Sequence, residues 1–169
     1  MDGDGGVRAL SIIEDEVQLN DLNKRFDELM PKLMEIENPS SEITEDHLRK
    51  IKARYFKGKD EINDENSEGL IRLYTERSFI TPLINTIQQL VQQDQKTPVY
   101  MYKFSFKGPL TYSTFYTGKD KNYGAVHCDE LIYLLHSPML FPHDFKVGSI
   151  EAQFRSNFVR FVTDFAANG

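Results

Sequence analysis

The sequence predicts an α/β domain that is mostly helical and carries few strands. Three observations predict it. Apolar residues recur at three and four positions through most of the chain, the helical period. One stretch, Pro98 to Lys107, changes to a period of two and reads as a strand. Finally, 40% of the 169 residues are apolar, enough for a single core of domain size. A lone strand leaves both its edges unpaired, so its sheet partners are expected outside this chain. Residues 1–169 are therefore expected to form one portion of a larger domain.

The elements follow in order. Met1 to Gly6 hold three of the ten glycines and predict a tight loop. From Leu19, the positions Leu22, Phe26, Leu29 and Leu33 mark a helix, which Pro31 should kink or end near Met30. Asn38-Pro39-Ser40-Ser41 is a turn. Thr44 is a good cap for a second helix, with Glu45 and Asp46 in its first turn, Leu48, Ile51 and Tyr55 on one face, and a stop at Gly58. Lys59 to Glu68 is polar and looped. Leu70, Leu73 and Tyr74 begin a third helix. Leu83, Ile84, Ile87, Leu90 and Val91 form a fourth, with Pro82 in its tolerant first turn. In the strand, Tyr100, Tyr102, Phe104 and Phe106 share one face, and Gly108-Pro109 ends it. Tyr112 to Gly124 is irregular, a short helix runs from about Asp129 to Leu135, and a loop passes Pro138, Pro142 and Gly148. The last helix aligns Ile150, Phe154, Phe158, Phe161, Val162 and Phe165.

Composition excludes several classes of function. With 20 basic and 26 acidic residues and a net charge of −6, no basic face exists to neutralise phosphates, so nucleic acid is not an expected partner. The longest apolar runs are a few residues, far short of the ~20 that span a bilayer. One cysteine makes neither an internal disulfide nor a paired-cysteine zinc site. The first ten residues hold no cationic leader or apolar stretch, so no signal peptide is expected in this chain.

Chemistry concentrates in Gly124-Ala125-Val126-His127-Cys128-Asp129-Glu130-Leu131. A histidine on a glycine-led loop, just ahead of a helix, can be aimed into a cleft and can move a proton near neutral pH. The alternative is a histidine that packs against and caps the helix starting at Asp129. Cys128, Asp129 and Glu130 do not suggest a metal, because adjacent side chains cannot all face one ion. As a nucleophile Cys128 would need a facing base, so a small buried apolar role is the better reading. His136 and His143 are expected to be solvated in their loop, and His47 to lie on the exposed face of the second helix.

The same segment resembles the G-x-x-H-x-x-E-L block around the catalytic histidine of the type-B carboxylesterases, the cholinesterase-like family that includes the insect esterases. Pro98-Val99-Tyr100-Met101-Tyr102-Lys103-Phe104 is similar to the strand that precedes that block. Leu73-Tyr74-Thr75-Glu76-Arg77-Ser78-Phe79 is similar to the family's D-R-x-F region, with Glu76 where Asp is usual. Phe154 to Gly169 resembles the closing W-x-x-F-A-x-T-G-N-P helix, without its Trp and its Asn-Pro end. Gly3-Asp4-Gly5-Gly6-Val7-Arg8-Ala9-Leu10 occupies the place of the T-x-D-E-G loop and following helix that carry the family's triad acid, with Asp4 at the usual Glu and Asp2 as the alternative.

The resemblance implies the C-terminal part of an α/β-hydrolase fold and a Ser-His-acid ester hydrolase acting on a small-molecule carboxylic ester. It implies His127 as the proton shuttle, Asp4 as the acid that orients it, no cofactor and no metal. The nucleophile elbow G-x-S-x-G occurs nowhere in the 169 residues, nor does a glycine-rich oxyanion segment. The chain alone is therefore expected to be inactive, and its strand edges and aromatic face to favour self-association. Two other readings remain: a non-catalytic esterase-like binding protein, and an unrelated α+β protein. Members of the family are often secreted, and the compartment of this chain stays open.

Overall fold

The computed structural model describes residues 6–36, 41–94, 96–121, 123–141 and 144–169, with the backbone alone for 41–44. These fall into two compact units, one up to Tyr102 and one from Lys103 onward. In the first, helix α1 (Gly6–Ile13) buries Ala9 and Leu10 against α5 (Glu68–Thr75). Helices α2 (Glu16–Lys24) and α3 (Phe26–Leu33) follow, and the Asp15 carboxylate caps α2 by accepting the N–H groups of Val17 at 2.9 Å and Gln18 at 3.1 Å.

This start differs from the sequence reading at both ends. Helix α1 lies before Leu19, and its eight residues are too few to display a period. The break falls at Arg25, whose guanidinium bridges Asp21 at 3.1 Å and Glu28 at 2.9 Å, and the helix then runs past Met30 to Leu33. Pro31 lies inside this helix, at its sixth residue. The N–H it lacks would serve only the carbonyl of Asp27, an exposed residue.

Helix α4 (Ser41–Tyr55) begins three residues ahead of Thr44 and buries Leu48. Just past its end, the buried Phe56 meets Phe26 edge-on, with centroids 5.9 Å apart. The polar loop that follows is pinned by Asn23, whose amide donates to the Ile62 carbonyl at 2.9 Å and accepts its N–H at 2.8 Å. Gly69 lets α5 press against the end of α4: a Cβ there would lie 1.9 Å from the Tyr55 carbonyl oxygen.

From α5 the chain continues through a wide turn of π-helix (Glu76–Ile80) into α6 (Thr81–Gln93) without leaving the helical path. The turn closes with the Thr81 N–H on the Glu76 carbonyl, a bond across five residues. Pro82 supplies the reason. It offers no N–H to the Ser78 carbonyl, so an ordinary α turn here would lack a bond and crowd the ring. Helix α6 buries none of its residues, and Leu83, Ile84, Leu90 and Val91 are 40–47% exposed.

The expected strand is not formed. Residues 98–110 carry no sheet pairing among the described residues, and Tyr100 and Tyr102 are 66% and 56% exposed. A strand without a neighbour has nothing to exchange hydrogen bonds with. Its far end turns inward instead. In the second unit Phe104 and Phe106 join a core centred on Ile132, Tyr133 and Phe158.

That unit holds α7 (Tyr112–Thr117), α8 (Asp129–Leu134) and α9 (Ile150–Asn168). Helix α7 falls where the sequence reads as irregular, since Tyr-Ser-Thr-Phe-Tyr-Thr contains only indifferent helix formers. The Thr111 hydroxyl nucleates it by accepting the Ser113 N–H at 3.2 Å. Helices α8 and α9 match the sequence reading and pack together. Tyr133 of α8 stacks on Phe145 with centroids 5.1 Å apart and meets Phe106 and Phe154 edge-on, while Phe106 and Phe154 stack at 4.0 Å. The Tyr133 hydroxyl ends 2.0 Å from where a Cβ on Gly108 would stand. It is buried and has no hydrogen-bond partner among the described residues, and burial pushes the phenol up to about 12.

Candidate active site

His127 occupies the second position of a four-residue turn, Val126 to Asp129, that leads into α8. The turn is closed by the Asp129 N–H on the Val126 carbonyl at 3.1 Å. Cys128, the third residue, has φ 72° and ψ 0°, the left-handed geometry that the third position of a type II turn requires. Glycine is usual at such a position, so the cysteine holds it at some cost in strain. Val126 is buried, His127 is exposed, and Cys128 is half-buried rather than enclosed. Cys128 itself holds the capping position of α8, and its side chain makes no capping bond.

A second bond closes the same turn from outside the backbone. Asp129 is 2% exposed, and its Oδ2 accepts the Val126 N–H at 3.0 Å and the Thr111 hydroxyl at 2.9 Å. Its Oδ1 accepts the Tyr112 N–H at 2.8 Å. A buried carboxylate is tolerable only when donors replace its hydration, and three converge here. Thr111 and Asp129 were not visible as a pair in the sequence. Eighteen residues separate them, and no local pattern marks either as a partner of the other. The one local signal is the placement of an acidic residue three positions after the start of a tight turn.

The other residues singled out in the sequence fall as follows. His47 and His136 are exposed. Asp2, Asp4 and His143 lie outside the described residues. A cleft between α8 and α9 is lined by Ile132, Tyr133, His136, Phe145 and Arg155, among others, and His127 does not line it. An Arg155–Asp144 ion pair stands beside it, with the guanidinium 5.2 Å from the Phe145 ring centre. Among the described residues no three His, Cys, Asp or Glu side chains converge as a metal set, and no helix is long and apolar enough to cross a membrane.

The sequence matches the Carboxylesterase family over residues 2–169. The chain belongs to that family. Juvenile hormone esterase of Tribolium castaneum is 30% identical to it over 173 aligned positions, covering 98% of this chain and 29% of that protein. Esterase E4 of Myzus persicae is 26% identical, over 83% of this chain and 26% of its own length, and esterase FE4 of the same aphid is 27% identical over 78% and 24%. The carboxylesterase chain therefore spans less than a third of the curated relatives it matches. Its mostly helical architecture, with no paired strand among the described residues, fits the C-terminal part of the α/β-hydrolase fold that this family uses.

Proposed function

We propose that this chain supplies the histidine, and the acid that orients it, to a serine carboxylesterase whose nucleophile stands on a portion outside these 169 residues. The observation that carries the reading is the His127 turn: an exposed imidazole at the second position of a doubly closed turn, ahead of a short helix, within a chain of the carboxylesterase family.

In this reading the serine oxygen attacks the ester carbonyl and gives its proton to His127. The tetrahedral intermediate then collapses, the C–O bond to the alcohol breaks, and His127 returns the proton to the departing alkoxide. Water then attacks the acyl carbonyl and loses a proton to His127, the bond from the acyl carbon to the serine oxygen breaks, and His127 returns the proton to that oxygen as the acid leaves. Asp4, or Asp2 in its place, holds the imidazole in the tautomer that accepts the proton. The substrate is a carboxylic ester, with pockets shaped largely by the remainder of the enzyme. The 169 residues alone have no serine nucleophile in the required motif and are inactive, and the exposed Tyr100, Met101 and Tyr102 favour their self-association.

The test is His127→Ala in the full-length protein. Turnover of a simple aryl ester should fall by about 10⁴-fold or more, with folding kept because an exposed side chain buries little area. Asp4→Asn should be a milder lesion of the same kind. Wild-type turnover by the His127→Ala protein would remove the assignment, and turnover by the 169-residue chain that a serine-directed inhibitor blocks would remove the division of labour.

A further inference from the structure

Val126 and Asp129 are tied twice, and His127 stands between them. The main chain contributes one bond, Asp129 N–H to Val126 carbonyl, at 3.1 Å, and the side chain contributes the other, Val126 N–H to Asp129 Oδ2, at 3.0 Å. A turn closed by its backbone alone can rock about its ends. The Asp129 N–H holds the peptide plane that leads from Val126 into His127, and the buried carboxylate, through the Val126 N–H, holds the plane before it, so both planes flanking Val126 are fixed. The same carboxylate is itself held from a separate segment, through the Thr111 hydroxyl at 2.9 Å and the Tyr112 amide at 2.8 Å. Thr111 is fixed in turn: its oxygen accepts the Ser113 N–H at 3.2 Å and lies 3.0 Å from the Ser113 hydroxyl.

We infer that Asp129 is a positioning residue for His127, acting through the Val126 amide, and that Thr111 sets the position of Asp129. This rests on the reading of His127 as the proton shuttle. Neither Asp129 nor Thr111 is assigned contact with substrate. Their effect is on where the imidazole stands, and general-base catalysis is sensitive to displacements of about 1 Å, which can cost roughly 100-fold in rate. The carboxylate is matched to the task in a way an amide is not. The Val126 N–H, the Tyr112 N–H and the Thr111 hydroxyl all donate to it, and an asparagine places its oxygen on one side only. Either Val126 or Tyr112 would then face an NH₂.

The experiment compares Asp129→Asn, Thr111→Val and Thr111→Ser with His127→Ala in the full-length protein, reading kcat, KM and the folded fraction by circular dichroism. Asp129→Asn should lower kcat by about 10- to 100-fold with KM within about twofold of the parent. Thr111→Val should lower kcat several-fold, and Thr111→Ser, which keeps the hydroxyl, should restore it. Should Asp129→Asn fail to fold, the threonine pair decides, because the loss with Val and recovery with Ser depend on the hydroxyl. Unchanged kcat in both Asp129→Asn and Thr111→Val, a loss that only follows the folded fraction, or equal losses in Thr111→Val and Thr111→Ser would overturn the inference while leaving His127 in place. An active His127→Ala protein would instead overturn the function on which it stands.

Discussion

Glu76 Oε2 accepts the Tyr55 hydroxyl at 2.7 Å and the Arg54 guanidinium at 2.8 Å, while its Oε1 accepts Arg72 at 3.0 Å. One carboxylate at the start of the wide turn thus gathers the end of α4 and the body of α5. Partial burial raises its pKa, but the hydrogen bonds from Tyr55, Arg54 and Arg72 outweigh burial and bring it to about 2 from the ordinary 4.5.

A depressed carboxylate stabilises the fold above its unfolded pKa and loses that contribution as pH falls through its folded one. Stability of the unit up to Tyr102 should therefore decline as pH drops from about 4.5 toward 2. Glu76 remains 28% exposed, so solvent screening reduces the contribution to about 1–2 kcal/mol. Glu76→Gln should cost that amount at pH 7 and flatten the decline. Denaturant unfolding followed between pH 3 and pH 6 checks both, and parallel curves for parent and variant would refute the assignment.

Gly69→Ala should destabilise by about 3 kcal/mol, although alanine is the better helix former by about 1 kcal/mol. The added Cβ would stand 1.9 Å from a backbone oxygen of Tyr55, which has no rotamer to escape into. A midpoint for Gly69→Ala equal to the parent's would show that α4 and α5 are not held at this distance.

Tyr133→Phe should stabilise by about 1 kcal/mol, because it removes a buried hydroxyl that has no partner among the described residues. Gly108→Ala should destabilise, since its Cβ would lie 2.0 Å from that oxygen. The double variant should recover part of the loss. Strictly additive effects in a double-mutant cycle would mean that the two positions do not touch.

Cys128 holds a left-handed backbone without being glycine, a conformation that costs about 1–2 kcal/mol. Cys128→Gly should be neutral to stabilising, and Cys128→Val should lose about 1–2 kcal/mol from its branched Cβ. Thermal midpoints of the two variants, measured side by side, give the sign directly.

What was legible in the sequence is what depends on neighbours along the chain. The stripe of Phe154, Phe158 and Val162 shows its period, and α9 forms with those residues against the core. The place of His127 just ahead of a short helix is readable in Gly124 to Leu131, whereas its exposure is not. The alternation at Tyr100, Tyr102, Phe104 and Phe106 was equally clear, yet it misled, because a strand is a property of a pair and no partner is present among the described residues. Helix α7 and the Thr111–Asp129 bond were hidden for a related reason. A cap and a buried carboxylate decide them, and both depend on groups that meet only after folding.

The wide turn at Glu76–Ile80 also bears on how this chain tolerates changes in length. Each residue advances a helix by about 100°, so an extra residue inserted into a regular helix would swing everything beyond it to another face. A turn closed across five residues absorbs one such addition and leaves the flanking helices in phase. Removing one residue there should keep the faces of α5 and α6 aligned, but it would return Pro82 to an ordinary turn, where its ring meets the carbonyl four residues back. Loss of the extra residue and loss of the proline should therefore be tolerated together more readily than the deletion alone.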